Sequence, residues 1–312
     1  MRSSSARCSG QRTIKGAGRA MAGDSSGWGW IVACHYPGNF RSVVLGQHPA
    51  ICLAKSKEPD IFSGRWRQGL DAGKSEFAHP GRICLDASTS YSCACLPMYF
   101  PQDIGVESGF NGVPPRIHRV SPDARFIYIM RDPVARAFSS YWHEVRAGRE
   151  TRAFEIAVRE TTYFLRTSHY FGKIELFLEY FPLDYFLFLT FEDFIAALLD
   201  TARSCFRFLD LQDDVLIQQD RAQNKSFVYS GPWGFVNRLL APIGGLNAAV
   251  RASKNLLPRR FLEWGAKRMT KGVPPVTNRE YALLAAEFQE CVVRLGELTG
   301  RDFSQWPCAQ SR

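Results

Sequence analysis

The stretch RFIYIMRDPVARAFSSYWHEVRAG, from Arg125 to Gly148, decides the fold of this 312-residue chain. Five consecutive apolar residues, Phe126 to Met130, predict a strand that is covered on both faces. Asp132 suits a helix N-cap because its carboxylate accepts a backbone N–H, and Pro133 suits the first helical position because it has no N–H to lose. The following apolar residues recur at helical spacing as far as Gly148, a typical C-terminal stop.

Two residues of this stretch do not fit the packing pattern. Arg131 stands at the carboxyl end of the strand, where open α/β sheets bind ligands. Ser139 lies off the apolar stripe, so its hydroxyl can turn toward the same crevice. A guanidinium and a hydroxyl beside a helix N-terminus predict a phosphate site. The alternative is an ion pair between Arg131 and Asp132, with a solvated Ser139.

Strand and helix patterns alternate along the chain, which predicts an α/β fold with a central parallel sheet flanked by helices. Further strands are predicted at residues 28–34 and 184–190, and residues 83–91 are predicted to form a strand that runs into a hydroxyl-rich turn. Helices are predicted at residues 40–47, 153–165, 169–180, 191–210 and 279–298, with helical segments between 233 and 267. Residues 97–115 are rich in Pro and Gly and are predicted to form a loop.

Composition is typical of a globular protein, and 312 residues suffice for one large α/β domain or two small ones. Hydrophobic residues make up 46% of the chain, and no run of apolar residues is long enough for a membrane span. Nine cysteines without a C-x-x-C or a zinc spacing indicate reduced thiols, which favours a cytoplasmic protein. We expect an unstructured tail at residues 1–27, one domain at 28–306 and a short tail at 307–312. Residues 1–23 contain five basic and no acidic residues, which leaves organelle targeting open.

The net charge of +9 is concentrated in residues 221–271, here called the basic block. Ten Lys or Arg residues stand there, among them Lys225, against a single acid, Glu263. Such a block suggests a polyanionic partner, which would be nucleotide phosphates, an anionic acceptor, nucleic acid or an anionic lipid surface. A solvated basic face is the alternative.

The segment QHPAICLAKSKEPDIF, residues 47–62, holds the candidate general base. Lys55, Lys57, Glu58 and Asp60 crowd together within it. A carboxylate flanked by cations stays ionised at neutral pH and can take a proton from a hydroxyl. The alternative is a solvated surface loop. Upstream, residues 28–47 have the layout strand, tight turn and helix, in which backbone N–H groups hold an anion.

With these motifs, the chain resembles the sulfotransferase superfamily, nearest the branch of the heparan sulfate sulfotransferases and their bacterial-type relatives. RDPVARAFSSYWH is similar to the family's 3′-phosphate motif, which implies that Arg131 and Ser139 hold the 3′-phosphate of 3′-phosphoadenosine 5′-phosphosulfate. The segment at 47–62 is similar to the one that carries the family's proposed base, which is Glu58 here. LDASTSY (85–91), Phe-Glu-Asp (191–193) and DFSQW (302–306) extend the resemblance over about residues 28–306.

The resemblance implies a P-loop-like three-layer fold and sulfuryl transfer to a hydroxyl or amine of a carbohydrate or small molecule. It implies the phosphosulfate nucleotide as co-substrate, and no metal, nucleic-acid partner or transmembrane segment. His35, Gly38 and Asn39 would bind the 5′-phosphosulfate, with Lys225 closing over the nucleotide. Lys57 and Asp60 would contact the acceptor.

One position departs from the family pattern. The family loop reads roughly Lys-x-Gly-Thr-Thr, and His35 occupies the Lys position here. An imidazole stabilises charge on the bridging oxygen only when protonated, and its ordinary pKa is ~6.5. Three explanations stay open: a weakened or inactive enzyme, a rearranged loop that uses Arg41, or an N-terminal sequence that is not authentic.

A non-catalytic relative that binds anionic glycans or nucleotides is the second hypothesis, and the missing Lys favours it. A P-loop nucleotide kinase is disfavoured, because the sequence has no G-x-x-x-x-G-K-[ST] motif.

Overall fold

The computed structural model describes residues 30–34, 44–78, 83–93, 112–218, 227–229, 231–240, 246 and 268–310. The strands within these ranges are β1 (Trp30–Cys34), β2 (Ile51–Leu53), β3 (Ile83–Asp86), β4 (Arg125–Met130), β5 (Phe186–Thr190), β6 (Phe227–Tyr229) and β7 (Thr270–Gly272).

The first five strands form one sheet in the order β2-β3-β1-β4-β5, and every neighbouring pair is parallel. Phe126 of β4 pairs with Val32 of β1 on one side and with Phe186 of β5 on the other. All carboxyl ends therefore lie at one edge of the sheet, where ligands of such sheets bind. The remaining strands, β6 and β7, form a separate antiparallel ribbon that the sequence did not predict.

The helices in the described part of the chain flank this sheet. They are α1 (Leu70–Lys74), α2 (Val113–Val120), α3 (Pro133–Arg146), α4 (Phe154–Glu160), α5 (Tyr163–Ser168), α6 (Tyr170–Leu178), α7 (Phe191–Ala196), α8 (Leu198–Phe208), α9 (Pro232–Leu239), α10 (Asn278–Thr299) and α11 (Pro307–Gln310).

Alternate side chains of β4 enter two separate hydrophobic cores. Phe126, Tyr128 and Met130 pack in a core with residues of α3, α6 and α10. Ile127 and Ile129 pack in a second core, on the opposite face, with residues of α8. Both faces of the strand are thus covered, as its continuous apolar run requires. The predicted α/β fold with a central parallel sheet between helical layers is confirmed.

The unit from β4 to α3 forms as predicted. Oδ1 of Asp132 accepts a hydrogen bond from the Ala135 N–H at 2.8 Å, which caps the helix, and Pro133 is its first residue. Gly148 lies just beyond the helix end at φ +78°, the left-handed conformation that glycine adopts without strain.

Two predicted helices are interrupted, so their predicted extents were wrong. Residues 153–165 divide into α4 and α5 at Thr161, whose backbone is extended and whose hydroxyl accepts from the Tyr163 N–H at 3.2 Å. Residues 191–210 divide into α7 and α8 at Ala197. The second break lets Phe191, Phe194 and Leu198 all pack against the same core.

Residues 83–91 form a strand that runs into a hydroxyl-rich turn, as predicted, whereas the predicted loop at 97–115 was too long. The strand ends at Asp86, because this carboxylate accepts hydrogen bonds from Ser88 and Tyr91 and turns the chain into a 3-10 helix, Thr89–Cys93. Helix α2 already begins at Val113, with its prolines in the first turn.

The predicted limits of the two tails stay predictions. Residues 1–27 lie outside the described ranges. Pro307–Gln310 form a short helix whose Cys308 is completely buried, so these residues pack on the domain. No helix within the described ranges is long and apolar enough to cross a membrane.

Candidate functional site

Arg131 and Ser139 line one cavity of about 290 Å³. Arg131 reaches it from the loop that follows β4, and Ser139 from the second turn of α3. The two elements meet here because Asp132 and Pro133 start the helix directly at the strand end. The predicted convergence of a guanidinium and a hydroxyl is therefore present.

The Arg131 guanidinium contacts the Phe191 ring but forms no ion pair with a described residue. Its carbon lies 5.5 Å from the centre of the Phe191 ring, and its buried Nε has no hydrogen-bond partner among the described residues. A buried, unsatisfied cationic donor is unfavourable unless a ligand accepts from it. An anion in the cavity would supply that acceptor.

The alternative ion pair between Arg131 and Asp132 does not form. Both oxygens of the Asp132 carboxylate have other donors: the Ala135 N–H at 2.8 Å and the Tyr281 hydroxyl at 2.5 Å. The buried thiol of Cys308 also lies 3.4 Å from Oδ2. Asp132 therefore organises the helix start and leaves the guanidinium to the cavity.

Ser139 faces the cavity from α3, and its hydroxyl makes no hydrogen bond to another described residue. The same helix face continues with Trp142, His143 and Arg146, which also line the cavity. These residues follow Ser139 at i+3, i+4 and i+7, so helical spacing could have identified them from the sequence. Trp142, His143 and Arg146 were not among the predicted site residues.

His143 and Arg146 form a polar pair at the wall of this cavity. The Arg146 guanidinium donates to Nδ1 of His143 over 3.0 Å, because a guanidinium has no lone pair to accept with. This bond fixes His143 as the neutral tautomer protonated at Nε2. Desolvation lowers the pKa of His143, and the cations Arg146, Arg149 and Lys57 act in the same direction against the opposing charge of Glu144.

The remaining wall comes from distant parts of the chain. Phe227 of β6 and the run Val273-Pro274-Pro275-Val276, which follows β7, close the cavity opposite α3. The Arg146 guanidinium lies 5.4 Å from the Phe227 ring centre. Lys225, predicted to close over the nucleotide, stands two positions before Phe227, but no pattern in the sequence places residues 273–276 at the site.

The candidate base lies at the same edge of the sheet. Glu58 is exposed in the loop after β2, and its Oε2 accepts from the Thr89 hydroxyl at 2.8 Å. Strands β3 and β1 lie between β2 and β4. With three spacings of about 4.8 Å, the ends of β2 and β4 are roughly 14 Å apart.

Lys57 and Asp60 flank Glu58 but differ in their surroundings. Lys57 is exposed, and its charge contributes to the lowered pKa of His143. The Asp60 carboxylate is engaged within the protein: Oδ1 accepts from the hydroxyls of Ser90 at 2.5 Å and Ser63 at 3.3 Å. The acceptor-binding role of Lys57 and Asp60 stays a prediction.

Four predicted residues, His35, Gly38, Asn39 and Lys225, lie outside the described residues. The first three follow β1 in the sequence, and β1 neighbours β4 in the sheet. Among the described residues, no group of three or more His, Cys, Asp or Glu side chains could hold a metal ion.

Comparison with known proteins identifies the family. Residues 113–214, which include β4, α3 and β5, match a family model described as Sulfotransferase family. Human heparan sulfate glucosamine 3-O-sulfotransferase 6 is 25% identical over 254 residues, which cover 78% of this chain and 67% of that protein. Mouse heparan sulfate glucosamine 3-O-sulfotransferase 5 is 27% identical over 185 residues, which cover 54% and 48%.

The fold is also that of a solved sulfotransferase. The crystal structure of a sulfotransferase from Alicyclobacillus acidocaldarius aligns with a TM-score of 0.58 at 20% identity, covering 90% of this chain and 98% of that one. Fold, family match and relatives agree with the motifs around Arg131 and Ser139. Together, these findings support the sulfotransferase superfamily for this chain.

Proposed function

We propose that the protein transfers a sulfuryl group from 3′-phosphoadenosine 5′-phosphosulfate to a hydroxyl or amine of a carbohydrate or small molecule. One observation carries this proposal: the unsatisfied guanidinium of Arg131 and the hydroxyl of Ser139 line one cavity at the carboxyl edge of a parallel sheet. Family membership supports sulfuryl transfer, and the cavity supports a phosphate-bearing donor.

Arg131 and Ser139 bind the 3′-phosphate in this proposal. A guanidinium donates two parallel hydrogen bonds to a phosphate, and these are stronger than bonds between neutral groups. The Ser139 hydroxyl donates a third from the helix. Because neither residue has another described partner for these donors, binding breaks no internal hydrogen bond.

Glu58 acts on the acceptor. Its Oε2 is already bound to Thr89, whereas Oε1 accepts no hydrogen bond from a described residue and takes the proton of the acceptor hydroxyl. The acceptor oxygen then forms a bond to sulfur while the bond from sulfur to the bridging oxygen breaks. The 3′,5′-bisphosphate leaves with the bridging oxygen and its electron pair.

The loop after β1 completes the donor site in the proposal. The backbone of Gly38 and Asn39 cradles the 5′-phosphate, and Lys225 closes over the nucleotide. His35 stands where the family has Lys, so it offsets charge on the bridging oxygen only in its protonated form. Turnover is therefore expected to be slow at neutral pH.

A glycan is the acceptor class that the relatives favour. The relatives reported above carry heparan sulfate glucosamine in their names. The basic block, with ten cations and one acid, suits a sulfated or carboxylated chain. A cytoplasmic location and the absence of a nucleic-acid partner are further parts of this proposal.

The test combines donor binding with turnover. Calorimetry measures the affinity for adenosine 3′,5′-bisphosphate, and sulfation from the phosphosulfate donor is measured over a panel of glycans and small hydroxyl or amine compounds. Glu58→Gln should lower kcat for sulfation by about 10²- to 10⁴-fold but leave bisphosphate affinity unchanged, whereas the control Glu179→Gln, at an exposed site, should change neither.

The same experiment distinguishes the second candidate, a non-catalytic binder. The sequence feature that favours it is His35 in place of the loop Lys. Bisphosphate binding without sulfation of any acceptor, even after His35→Lys, would support the binder. Absence of bisphosphate binding would contradict the proposed function and a nucleotide binder, and would leave only a protein that binds anionic glycans.

A further inference from the structure

Three consecutive hydroxyl residues, Ser88, Thr89 and Ser90, connect the end of β3 to the loop that carries Glu58. The Thr89 hydroxyl donates to Oε2 of Glu58 at 2.8 Å. The Ser90 hydroxyl donates to Oδ1 of Asp60 at 2.5 Å, and the Ser88 hydroxyl accepts from the Asp60 N–H at 2.8 Å. Each of these three residues thus forms a hydrogen bond with Glu58 or with Asp60.

The turn is itself fixed to a buried carboxylate. Asp86 is completely buried, and its Oδ1 accepts from the N–H and the hydroxyl of Ser88, at 3.0 and 2.6 Å. Its Oδ2 accepts from the Tyr91 hydroxyl at 2.5 Å, and the same hydroxyl accepts from the Phe62 N–H at 3.2 Å. Burial raises the pKa of Asp86 to about 6, although these hydrogen bonds oppose the shift. Such a connected network holds a turn in one geometry.

The backbone beside Glu58 is held in an unusual conformation. Asp60 has φ +53°, in the left-handed region that non-glycine residues rarely adopt. Ser88, Ser90 and Ser63 all hydrogen-bond to Asp60. The hydroxyl network therefore stabilises the sharp bend that follows Glu58.

Glu58 itself has little else to orient it. Its side chain is exposed, and the hydrogen bond from Thr89 is the only one that its carboxylate makes to a described residue. An exposed glutamate samples several rotamers, and a general base works only within hydrogen-bond reach of its proton.

We infer that Thr89 is a positioning residue: its hydroxyl holds Oε2 of Glu58 so that Oε1 faces the acceptor. This role rests on the proposed function, because it assumes that Glu58 is the base. Thr89 does not touch the reacting atoms in this scheme. It acts only through the Glu58 carboxylate, while Asp86 and Ser88 keep the turn in place.

The test removes the hydroxyl without removing the side-chain volume. Thr89→Val should lower kcat for sulfation roughly tenfold, as expected for the loss of one hydrogen bond to an ionised group at an exposed site. Affinity for adenosine 3′,5′-bisphosphate and the KM for the donor should not change. Thr89→Ser should restore kcat, and Thr151→Val, at an exposed threonine away from the site, should have no effect.

Two further measurements separate positioning from a structural role. In a Glu58→Ala background, Thr89→Val should cause no additional loss of kcat, because its partner is gone. The side-chain carboxyl 13C resonance of Glu58 should move in Thr89→Val and return in Thr89→Ser. An undiminished kcat in Thr89→Val, or equal losses with and without Glu58, would overturn the inference.

The carboxyl 13C resonance of Glu58 also separates a failure of the proposed function from a failure of the inference about Thr89. A wild-type protein that sulfates no acceptor would refute the proposed function and, with it, a role for Thr89 in sulfation. The Glu58 resonance would then still show whether Thr89 holds the carboxylate, and an unchanged resonance would refute the contact itself.

Discussion

The hydroxyl of Tyr281 donates to Oδ2 of Asp132 at 2.5 Å, across 149 positions of the chain. This hydrogen bond joins α10 to the start of α3. It occupies one oxygen of the carboxylate that stands next to Arg131 in the sequence. We therefore expect the positive charge in the cavity lined by Arg131 and Ser139 to depend on Tyr281, which is remote from both in the chain.

Removal of the Tyr281 hydroxyl should therefore affect both stability and binding. Tyr281→Phe leaves Oδ2 of Asp132, in a buried residue, with only the weak Cys308 thiol donor. We expect a loss of about 1–3 kcal/mol in the free energy of unfolding, measured by urea denaturation. The freed carboxylate should also pair with Arg131 and weaken bisphosphate binding. Full affinity in the variant would show that Tyr281 does not control Arg131.

Arg131 should be the main determinant of bisphosphate affinity. Arg131→Ala removes the charge and the donors that face the cavity, so we expect the Kd to rise roughly 10- to 100-fold in calorimetry. Arg131→Lys should recover only part of this loss, since an ammonium cannot form the two parallel bonds. Arg203→Ala, on the exposed side of α8, is the matched control. An equal Kd in Arg131→Ala and Arg203→Ala would contradict the site.

Ser139 can be tested against its own neighbour in the helix. Ser139→Ala should weaken bisphosphate binding about tenfold, because one hydrogen bond to a charged phosphate is lost. Ser140→Ala has the same effect on helix propensity but lies off the cavity wall, so its Kd should match the wild type. A similar loss in both variants would indicate a general effect on α3 rather than a contact.

The ion pair between Arg65 and Glu76 should make the stability of the protein depend on pH. Hydrogen bonds from Ser56 and Arg65 lower the pKa of Glu76 from 4.5 to about 2, with Arg65 Nη1 at 2.5 Å from Oε1. Because the folded-state pKa is depressed, this stabilisation is present above pH 4.5 and is lost as pH falls from 4.5 toward 2. Glu76→Gln should be less stable than the wild type at pH 6, and urea denaturation should show the difference shrinking in acid. A difference that stays constant down to pH 3 would contradict this linkage.

The loop before residue 44 offers a gain-of-function prediction. His35→Lys places a permanent cation where the bridging oxygen gains charge, so kcat for sulfation at pH 7.5 should increase at least several-fold. Tyr36→Lys, one position further along the loop, should not reproduce the increase. Equal rates in the wild type and His35→Lys would favour a rearranged loop, and Arg41→Ala would then be the informative variant.

Much of the sheet and of helix α3 could be predicted, because the sequence patterns that specify them lie within short stretches of the chain. The apolar run before Arg131 requires a strand covered on both faces, and Asp132-Pro133 starts a helix through its own side chain and ring. An apolar pattern that continues through a break in a helix gives a wrong prediction of the helix length. The apolar spacing persists across Ala197, although the helix is broken there so that α7 and α8 both pack against one core. Hydrophobic periodicity indicates which face of a helix is buried, but it does not indicate where the helix axis bends.

The sequence by itself determined the fold class, the strand–helix unit and the identity of Arg131, Ser139 and Glu58 as candidates, because each rests on residues adjacent in the chain. Only the tertiary structure decided that Tyr281 engages Asp132, that Thr89 holds Glu58, and that Val273–Val276 close the cavity. These contacts join positions separated by 31 to 149 residues. They follow from strand order and helix packing, which no local pattern encodes.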